Sequence, residues 1–379
     1  MHGHLSRGKA VSVRERLNHN PVVAILSPRQ CGKTTLAQRV LQGSPKAVYV
    51  DLERPSHLAR LSDPEAFFAL HRDDLVCLDE IQRHPDLFPV LRSVVDEPQR
   101  QGKFLVLGSA SPDLLLQSSE TLAGRIAFVE LPPFLLPEVA SSRPDALAAL
   151  WLRGGFPRSF LAPDDHISMM WREDFVRTFV ERDLRLYAPR VAPDRVATFW
   201  TMCAHSHGQL LNASRLSGSL GVSGHTVRAY LDLLARTLML RVLRPLQPNL
   251  AKRLVRSPKL YIRDSGILHA LLGIETPDHL LAHPSRGASW EGIVVEHAVD
   301  AFPGWAPGFY RTTGGAELDL VLERGPRRIA IEAKASSAPK PTRGFWSALR
   351  DMAITEAYVV APVEEPYPLA SGVAVLPLG

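Results

Sequence analysis

Short runs of wholly apolar residues alternate with stretches of helical period through the first third of the chain, at positions 22–26, 47–50, 75–78, 104–107 and 126–131. A run with no polar face is buried on both sides, as a strand is when a parallel sheet is wound with helices. The pattern stops at Pro132 and Pro133, with Pro137 close behind, and helical periodicity then runs to about residue 195, including positions 174–182. Residues 212–223 and 226–234 read as a helix, a glycine-containing turn and a second helix capped by Ser223. That is the spacing of a helix-turn-helix, with a wing available between residues 240 and 262. Near the C-terminus a helix around 290–299 precedes two alternating strands, 318–322 and 328–334, joined by a tight turn at Gly325 and Pro326. The expected organisation is an α/β parallel-sheet core over 1–135, a helical lid over 136–200, a winged helix-turn-helix over 201–265 and a second α/β domain over 266–379.

Composition changes this picture only slightly. An apolar share of 45% beside 22% charged residues suits a folded chain, and 379 residues are too many for one simple core. The excess of 44 Lys and Arg over 39 Asp and Glu, +5, permits nucleic-acid binding without requiring it. Cys31, Cys77 and Cys203 have no pairing or metal-ligand spacing, which argues for a reducing compartment and against zinc. No apolar run approaches the roughly eighteen residues of a membrane span, and residues 1–16 lack the apolar stretch of a signal peptide. A cytoplasmic location is the default expectation.

The first apolar run leads into Ser27, Pro28, Arg29, Gln30, Cys31, Gly32, Lys33, Thr34 and Thr35, which open a helix. Strand, loop and helix in that order are the context of a Walker A phosphate loop. Gly32 lets the backbone wrap a β-phosphate, Lys33 neutralises the β- and γ-phosphates, Thr34 ligates Mg²⁺, and the helix start aims amides at the anion. Ser27 stands where the pattern has its first glycine, and its β-carbon is expected to crowd the turn and lower affinity. The third run ends in Asp79 and Glu80, a Walker B order. A carboxylate at a strand's C-terminal end lies beside the neighbouring phosphate loop. Asp79 is expected to hold Mg²⁺ through water and Glu80 to orient or deprotonate the attacking water; a helix-capping acidic pair is the plainer alternative.

These motifs, together with Leu78-Asp79-Glu80-Ile81-Gln82, Leu107-Gly108-Ser109, Leu122-Ala123-Gly124-Arg125, Gly154-Gly155-Phe156-Pro157, Glu181-Arg182-Asp183 and Ile331-Glu332-Ala333-Lys334, make the chain resemble a known family. It is that of bacterial and archaeal AAA-type (AAA+) ATPases whose C-terminal domain of unknown function resembles PD-(D/E)xK nucleases. The resemblance spans nearly the whole chain and implies an ATP- and Mg²⁺-dependent oligomer, commonly a ring, that acts on nucleic acid. It also implies a polar sensor at Ser109, for which an N-cap of residues 112–117 is the rival reading. Arg125 takes the place of an arginine finger offered to a neighbouring subunit, or is a plain helix-end arginine.

In the C-terminal segment, alternation puts Glu332 and Lys334 on one face and Glu317 and Asp319 on another shared face. In a PD-(D/E)xK layout Asp319, Glu332 and Glu291 would collect Mg²⁺ while Lys334 steadies a metal-activated hydroxide, with Glu317 an optional fourth carboxylate. The same residues also fit the solvent face of a half-buried hairpin. In the helix-turn-helix, Ser223, His225, Thr226 and Arg228 would meet DNA, and Lys252, Arg253, Arg256 and Lys259 would form a basic wing, unless those cations only solvate a hairpin. The leading expectation is an oligomeric ATPase that remodels or translocates DNA. The alternatives are an ATP-gated switch with little turnover and a nuclease coupled to ATP.

Overall fold

In the computed structural model, which describes residues 5–97, 103–109, 121–187, 191–246 and 254–379, all five early apolar runs are strands: β1 (Val22–Ser27), β2 (Ala47–Asp51), β3 (Leu75–Asp79), β4 (Phe104–Ser109) and β5 (Ile126–Glu130). They pair in parallel in the order β2-β3-β4-β1-β5. The three central strands are buried at every position and the two edge strands are not. Helices α1 (Lys9–His19) and α2 (Lys33–Gln42) cover one face, where Val13, Leu36 and Val40 meet Val23, Ile25, Cys77, Leu105 and Leu107. Phe67, Phe68, Phe88 and Leu91 cover the other face, against Val22, Ala24, Val76, Leu78 and Val106. Because side chains alternate along a strand, Ser27, Asp79 and Ser109 share the face of Ile25, Cys77 and Leu107, which is the α2 side.

The chain divides into two compact units, Met1–Phe134 with Arg236–Leu238, and Leu135–Ala235 with Met239–Gly379. The segments read as lid, helix-turn-helix and C-terminal domain therefore pack as one unit. Glycine is required where they interlock. Gly154 has φ +75°, and a Cβ there would lie 2.1 Å from the Asp264 carboxylate. That carboxylate accepts the Gly155 amide at 2.8 Å and caps the helix Ser265–Leu272. The Gly154-Gly155-Phe156-Pro157 motif is thus a packing device. Buried Arg172 donates to the carbonyls of Leu152 and Gly266 at 3.1 and 3.0 Å, and Trp151 and His269 both bond the Ser289 hydroxyl. The Glu181-Arg182-Asp183 motif lies on a π-helical turn, Phe179–Asp183, at the end of the helix Asp165–Thr178.

Three helices, Pro193–His205, Ala213–Leu220 and Gly224–Arg236, lead into an antiparallel ribbon of β6 (Leu240–Leu243) and β7 (Lys259–Ile262). The ribbon lies within residues 240–262, where a wing is expected. Chain flanking the ribbon bonds to β8 (Ala306–Arg311), through Leu246 N–H to Phe309 O at 2.8 Å and Val255 N–H to Arg311 O at 3.1 Å. Strand β8 is one edge of a mixed six-stranded sheet completed by β9 (Glu317–Arg324), β10 (Arg327–Ala333), β11 (Ala357–Val360), β12 (Tyr367–Ala370) and β13 (Val373–Leu376), in the order β12-β13-β11-β10-β9-β8. The Gly325-Pro326 turn joins β9 to β10 as expected. Both edge strands contain proline, Pro307 and Pro368, a residue that cannot complete a ladder on both sides.

The ribbon is also tied to the helix Arg286–Ala301 by charge: Arg241 and Arg263 both bond the Glu296 carboxylate. Burial pushes the Glu296 carboxyl up, but the two guanidinium groups outweigh burial and hold it at about 2. A carboxyl depressed on folding stabilises the native state fully above its unfolded value. That stability is lost as pH falls from about 4.5 toward 2. Replacing Glu296 with Gln is expected to cost on the order of 3 kcal/mol at pH 7, and the gap between variant and wild type in urea unfolding should narrow by about 1 kcal/mol at pH 3.5. Parallel curves at both pH values would remove Glu296 as a pH-linked contact.

Candidate functional site

The loop after β1 has the geometry of an anion cradle. Gly32 has φ +90° and Gln30 φ +63°, left-handed positions that turn the backbone into the first turn of α2. Ser27 is fully buried in extended conformation, and its side chain enters the site: its hydroxyl donates to the Pro28 carbonyl at 2.7 Å and accepts from Lys33 Nζ at 3.3 Å. Ser27 is the last residue of β1 and is not at positive φ. Lys33 is 6% exposed, its ammonium reaches only the neutral oxygens of Ser27 and Pro28, and burial pulls its pKa down. A cation held without a carboxylate partner is matched to an arriving anion.

Strand β3 brings up the acidic pair. Thr34 Oγ1 donates to Asp79 Oδ2 at 2.8 Å, and Tyr49 on β2 donates its hydroxyl to the same oxygen at 2.6 Å. Asp79 is 4% exposed, and its other oxygen accepts the Glu80 amide at 3.0 Å. Glu80 itself has φ +58°, costly for a side chain with a β-carbon, and its carboxylate accepts from Gln82 Nε2. Ser27 and Ser109 are partners in the β1–β4 register, and the buried Ser109 hydroxyl has no hydrogen-bond partner among the described residues. Its rival role as cap of residues 112–117 lies outside the described residues. Three donors to this site were not legible as such in the sequence: Tyr49, Gln82 and Arg7, whose guanidinium supports the loop from behind by bonding Cys31 O at 3.0 Å and Pro132 O. Tyr49 carried one usable signal, the parity of Asp51 and of Asp79 in the paired strand.

In the second unit, four carboxylates gather on the C-terminal sheet around a residue assigned from sequence to the wing. Lys259 is 2% exposed, and its Nζ lies 2.9 Å from Glu291, 3.1 Å from Glu317 and 3.2 Å from Asp319. Tyr261 also donates to Glu291, the Ala333 amide donates to Asp319 Oδ2 at 3.1 Å, and Lys334 bonds Glu332 at 2.7 Å. Burial, reinforced by Asp319, raises Glu291 to about 7 and Glu332 to about 8. The reading of Lys259 as a basic wing residue is therefore corrected. Asp319, Glu332 and Glu291 do come together, but among the described residues no three His, Cys, Asp or Glu side chains are arranged to hold a metal ion. An ammonium stands where these carboxylates converge, so the set does not fit Mg²⁺.

Residues 19–140 match the family described as "AAA domain", residues 144–278 a "Domain of unknown function (DUF8612)" and residues 286–379 a "Domain of unknown function (DUF4143)". Across 372 residues the chain is 43% identical to "Uncharacterized protein Rv2008c" of Mycobacterium tuberculosis (strain ATCC 25618 / H37Rv) and to "Uncharacterized protein Mb2031c" of Mycobacterium bovis (strain ATCC BAA-935 / AF2122/97), covering 98% of this chain and 83% of each relative. The chain belongs to this AAA-domain family. Among solved structures, the Walker-type ATPase PABY2304 of Pyrococcus abyssi aligns over 71% of this chain and 96% of its own at 15% identity and a TM-score of 0.49.

Within this AAA-domain protein the remaining candidates lie apart from the loop. The Arg125 carbonyl accepts the Val22 amide at 3.2 Å, which places Arg125 at the foot of β1, at the opposite edge of the sheet from the loop. Its guanidinium forms a two-point bond with Asp96. Ser223 accepts the Thr226 amide at 3.1 Å and so starts the Gly224–Arg236 helix as expected. Ser223, His225 and Arg228 are exposed and Thr226 is half-buried. Lys252 and Arg253 lie outside the described residues, and Arg256 is exposed. No described helix is long and apolar enough to cross a membrane.

Tyr49→Phe removes one of the two hydroxyls on Asp79 Oδ2. A hydrogen bond to a charged group contributes about 1.5 kcal/mol or more, so Mg²⁺-dependent ATP binding is expected to weaken by about tenfold while metal-free binding changes little. Calorimetry with and without Mg²⁺ checks this, and equal affinities for variant and wild type would take Tyr49 out of the site.

Proposed function

We propose that this protein is an ATP-hydrolysing AAA-type oligomer that binds and remodels or translocates DNA. The observation that carries the ATPase reading is the 2.8 Å bond between Thr34 of the phosphate loop and Asp79 at the tip of β3. It joins the residue type that ligates a nucleotide's metal to the one that holds it through water. The fit is supported by buried Lys33, which bonds Ser27 and Pro28, and by the Ser109 hydroxyl, paired with Ser27 in register and without a hydrogen-bond partner among the described residues. Magnesium, when bound, would neutralise the phosphate oxygens as charge shifts to the leaving group.

The chain's own groups do the rest. The loop amides and the first turn of α2 bind the β-phosphate, and Lys33 spans the β- and γ-phosphates. Thr34 and Asp79, now bonded to each other, would hold that metal, Thr34 directly and Asp79 through water. Glu80 leaves the Gln82 amide and takes a proton from the attacking water. Ser109 donates to the γ-phosphate or to that water. Arg125 is separated from its own loop by the five-residue β1–β5 register, roughly 17 Å at strand rise, so it can complete only the site of another copy. The DNA part of the reading is supported by the exposed Ser223, His225 and Arg228 at the start of a helix-turn-helix second helix.

Glu80→Gln is expected to retain ATP while turnover falls by about a hundredfold or more. Arg125→Ala should bind ATP normally and lose about a thousandfold in rate. Wild-type rate per subunit should rise with protein concentration and with added DNA, and a rate indifferent to both would sink the assembled-motor reading. The bond from Gln82 to Glu80 favours a second reading, a slow nucleotide switch, because the base is engaged before any water arrives. Stoichiometric ATP occupancy with almost no phosphate release, relieved in Gln82→Ala, would select it.

A further inference from the structure

We infer that the ammonium group of Lys259 is the permanent cation of the C-terminal carboxylate pocket, so that no divalent metal binds there and the second unit holds its ligands without cutting phosphodiester bonds. An ammonium has three protons, and Lys259 has three carboxylate acceptors, Glu291, Glu317 and Asp319, at 2.9 to 3.2 Å. Mg²⁺ requires oxygens at about 2.0–2.1 Å in octahedral order. Oxygens spaced around a nitrogen at about 3 Å do not meet that demand, and a metal among them would face a like charge at close range. Much of the remaining acceptor capacity is engaged elsewhere: Glu291 by the Tyr261 hydroxyl, Asp319 Oδ2 by the Ala333 amide, and one Glu332 oxygen by Lys334. Among the described residues Glu332 Oε2 is buried without a partner.

The backbone of Lys259 is held on both sides. It opens β7, paired with Leu243 of β6 on one side and bridged to Leu210 on the other. The flanking bonds Leu211 N–H to Pro258 O at 2.7 Å and Leu260 N–H to Gln209 O at 3.1 Å hold the backbone in place. Its side chain is sealed beneath the Phe309 ring, 5.6 Å from the centroid. The inference is independent of the ATPase reading, which concerns the other unit.

The test uses the full chain without nucleotide, titrated with Mn²⁺ alone and read by the electron-spin resonance of the free ion. Wild type is expected to take up no stoichiometric Mn²⁺ below about 1 mM. Lys259→Met, which keeps the stem and removes the charge, should gain one equivalent bound at least about thirtyfold more tightly, and adding Asp319→Asn should abolish the gain. One equivalent bound by wild type and lost in Asp319→Asn would overturn the inference, as would a folded Lys259→Met protein that gains none. If Lys259→Met does not fold, the wild-type titration and its Asp319→Asn control decide alone.

Discussion

A lysine ammonium taken out of water costs several kcal/mol unless an anion meets it, and two of the buried lysines of this chain, Lys33 and Lys259, serve opposite ends. Lys33 bonds the neutral oxygens of Ser27 and Pro28, and burial, the largest influence on it, lowers its pKa against the opposing pull of Glu80 and Asp79. Lys259 is buried as completely, yet Glu291, Asp319 and Glu317 outweigh burial and raise its pKa well above the ordinary value. The first cation is left incomplete and the second is saturated. A site with an unmet charge gains free energy when a polyanion arrives, whereas a site that has consumed its charge internally gains nothing from another cation. The same residue type, at similar depth, is a binding group in one unit and a cross-link in the other.

What makes Lys33 usable is the register of the parallel sheet. Ser27 pairs with Ser109 across β1 and β4, and Asp51 with Asp79 across β2 and β3, so the strand tips end in one row. Period-two alternation sends Ser27, Asp79 and Ser109 to the face that α2 covers, where Thr34 meets Asp79. A slip of one residue in any strand would turn its tip side chain to the other face and dismantle the row. The apolar contacts behind it, from Ile25, Cys77, Leu105 and Leu107 to Leu36 and Val40, are what forbid that slip. Gln30 and Glu80 are two of the non-glycine residues at positive φ, each costing about 1–3 kcal/mol that the packed sheet offsets.

This division also explains how much could be read from the sequence. All five strands of the first sheet, the loop and the acidic pair were legible because each is a contiguous pattern: an unbroken apolar run, then its chemistry. Arg7, Tyr49 and Lys259 were not, because each acts on residues 24 to 125 positions away. Lys259 was misassigned for a physical reason. Among Arg256, Leu254 and Val255 it looks like one more surface cation, and only the return of β9 with Glu317 and Asp319 reveals a buried partner set. Two of the six C-terminal strands were read and four missed; the edge strands β8 and β12 are hidden by Pro307, Gly308 and Pro368, which weaken the strand pattern where one ladder side is open.

The placement of Arg125 follows from the same sheet. A parallel strand separates what enters at its foot from what leaves at its tip, so a residue that precedes β5 cannot reach the loop that follows β1 in its own chain. In this protomer the guanidinium is held by Asp96 in a solvent-exposed pair, with side chains 34% and 44% accessible. Water screens an exposed pair, whereas a triphosphate in a dry cleft offers a denser charge. Exchanging Asp96 for a nucleotide on an adjoining copy would therefore cost the donor subunit little. An arginine bound this loosely, at the edge opposite its own site, is suited to a role that only assembly completes.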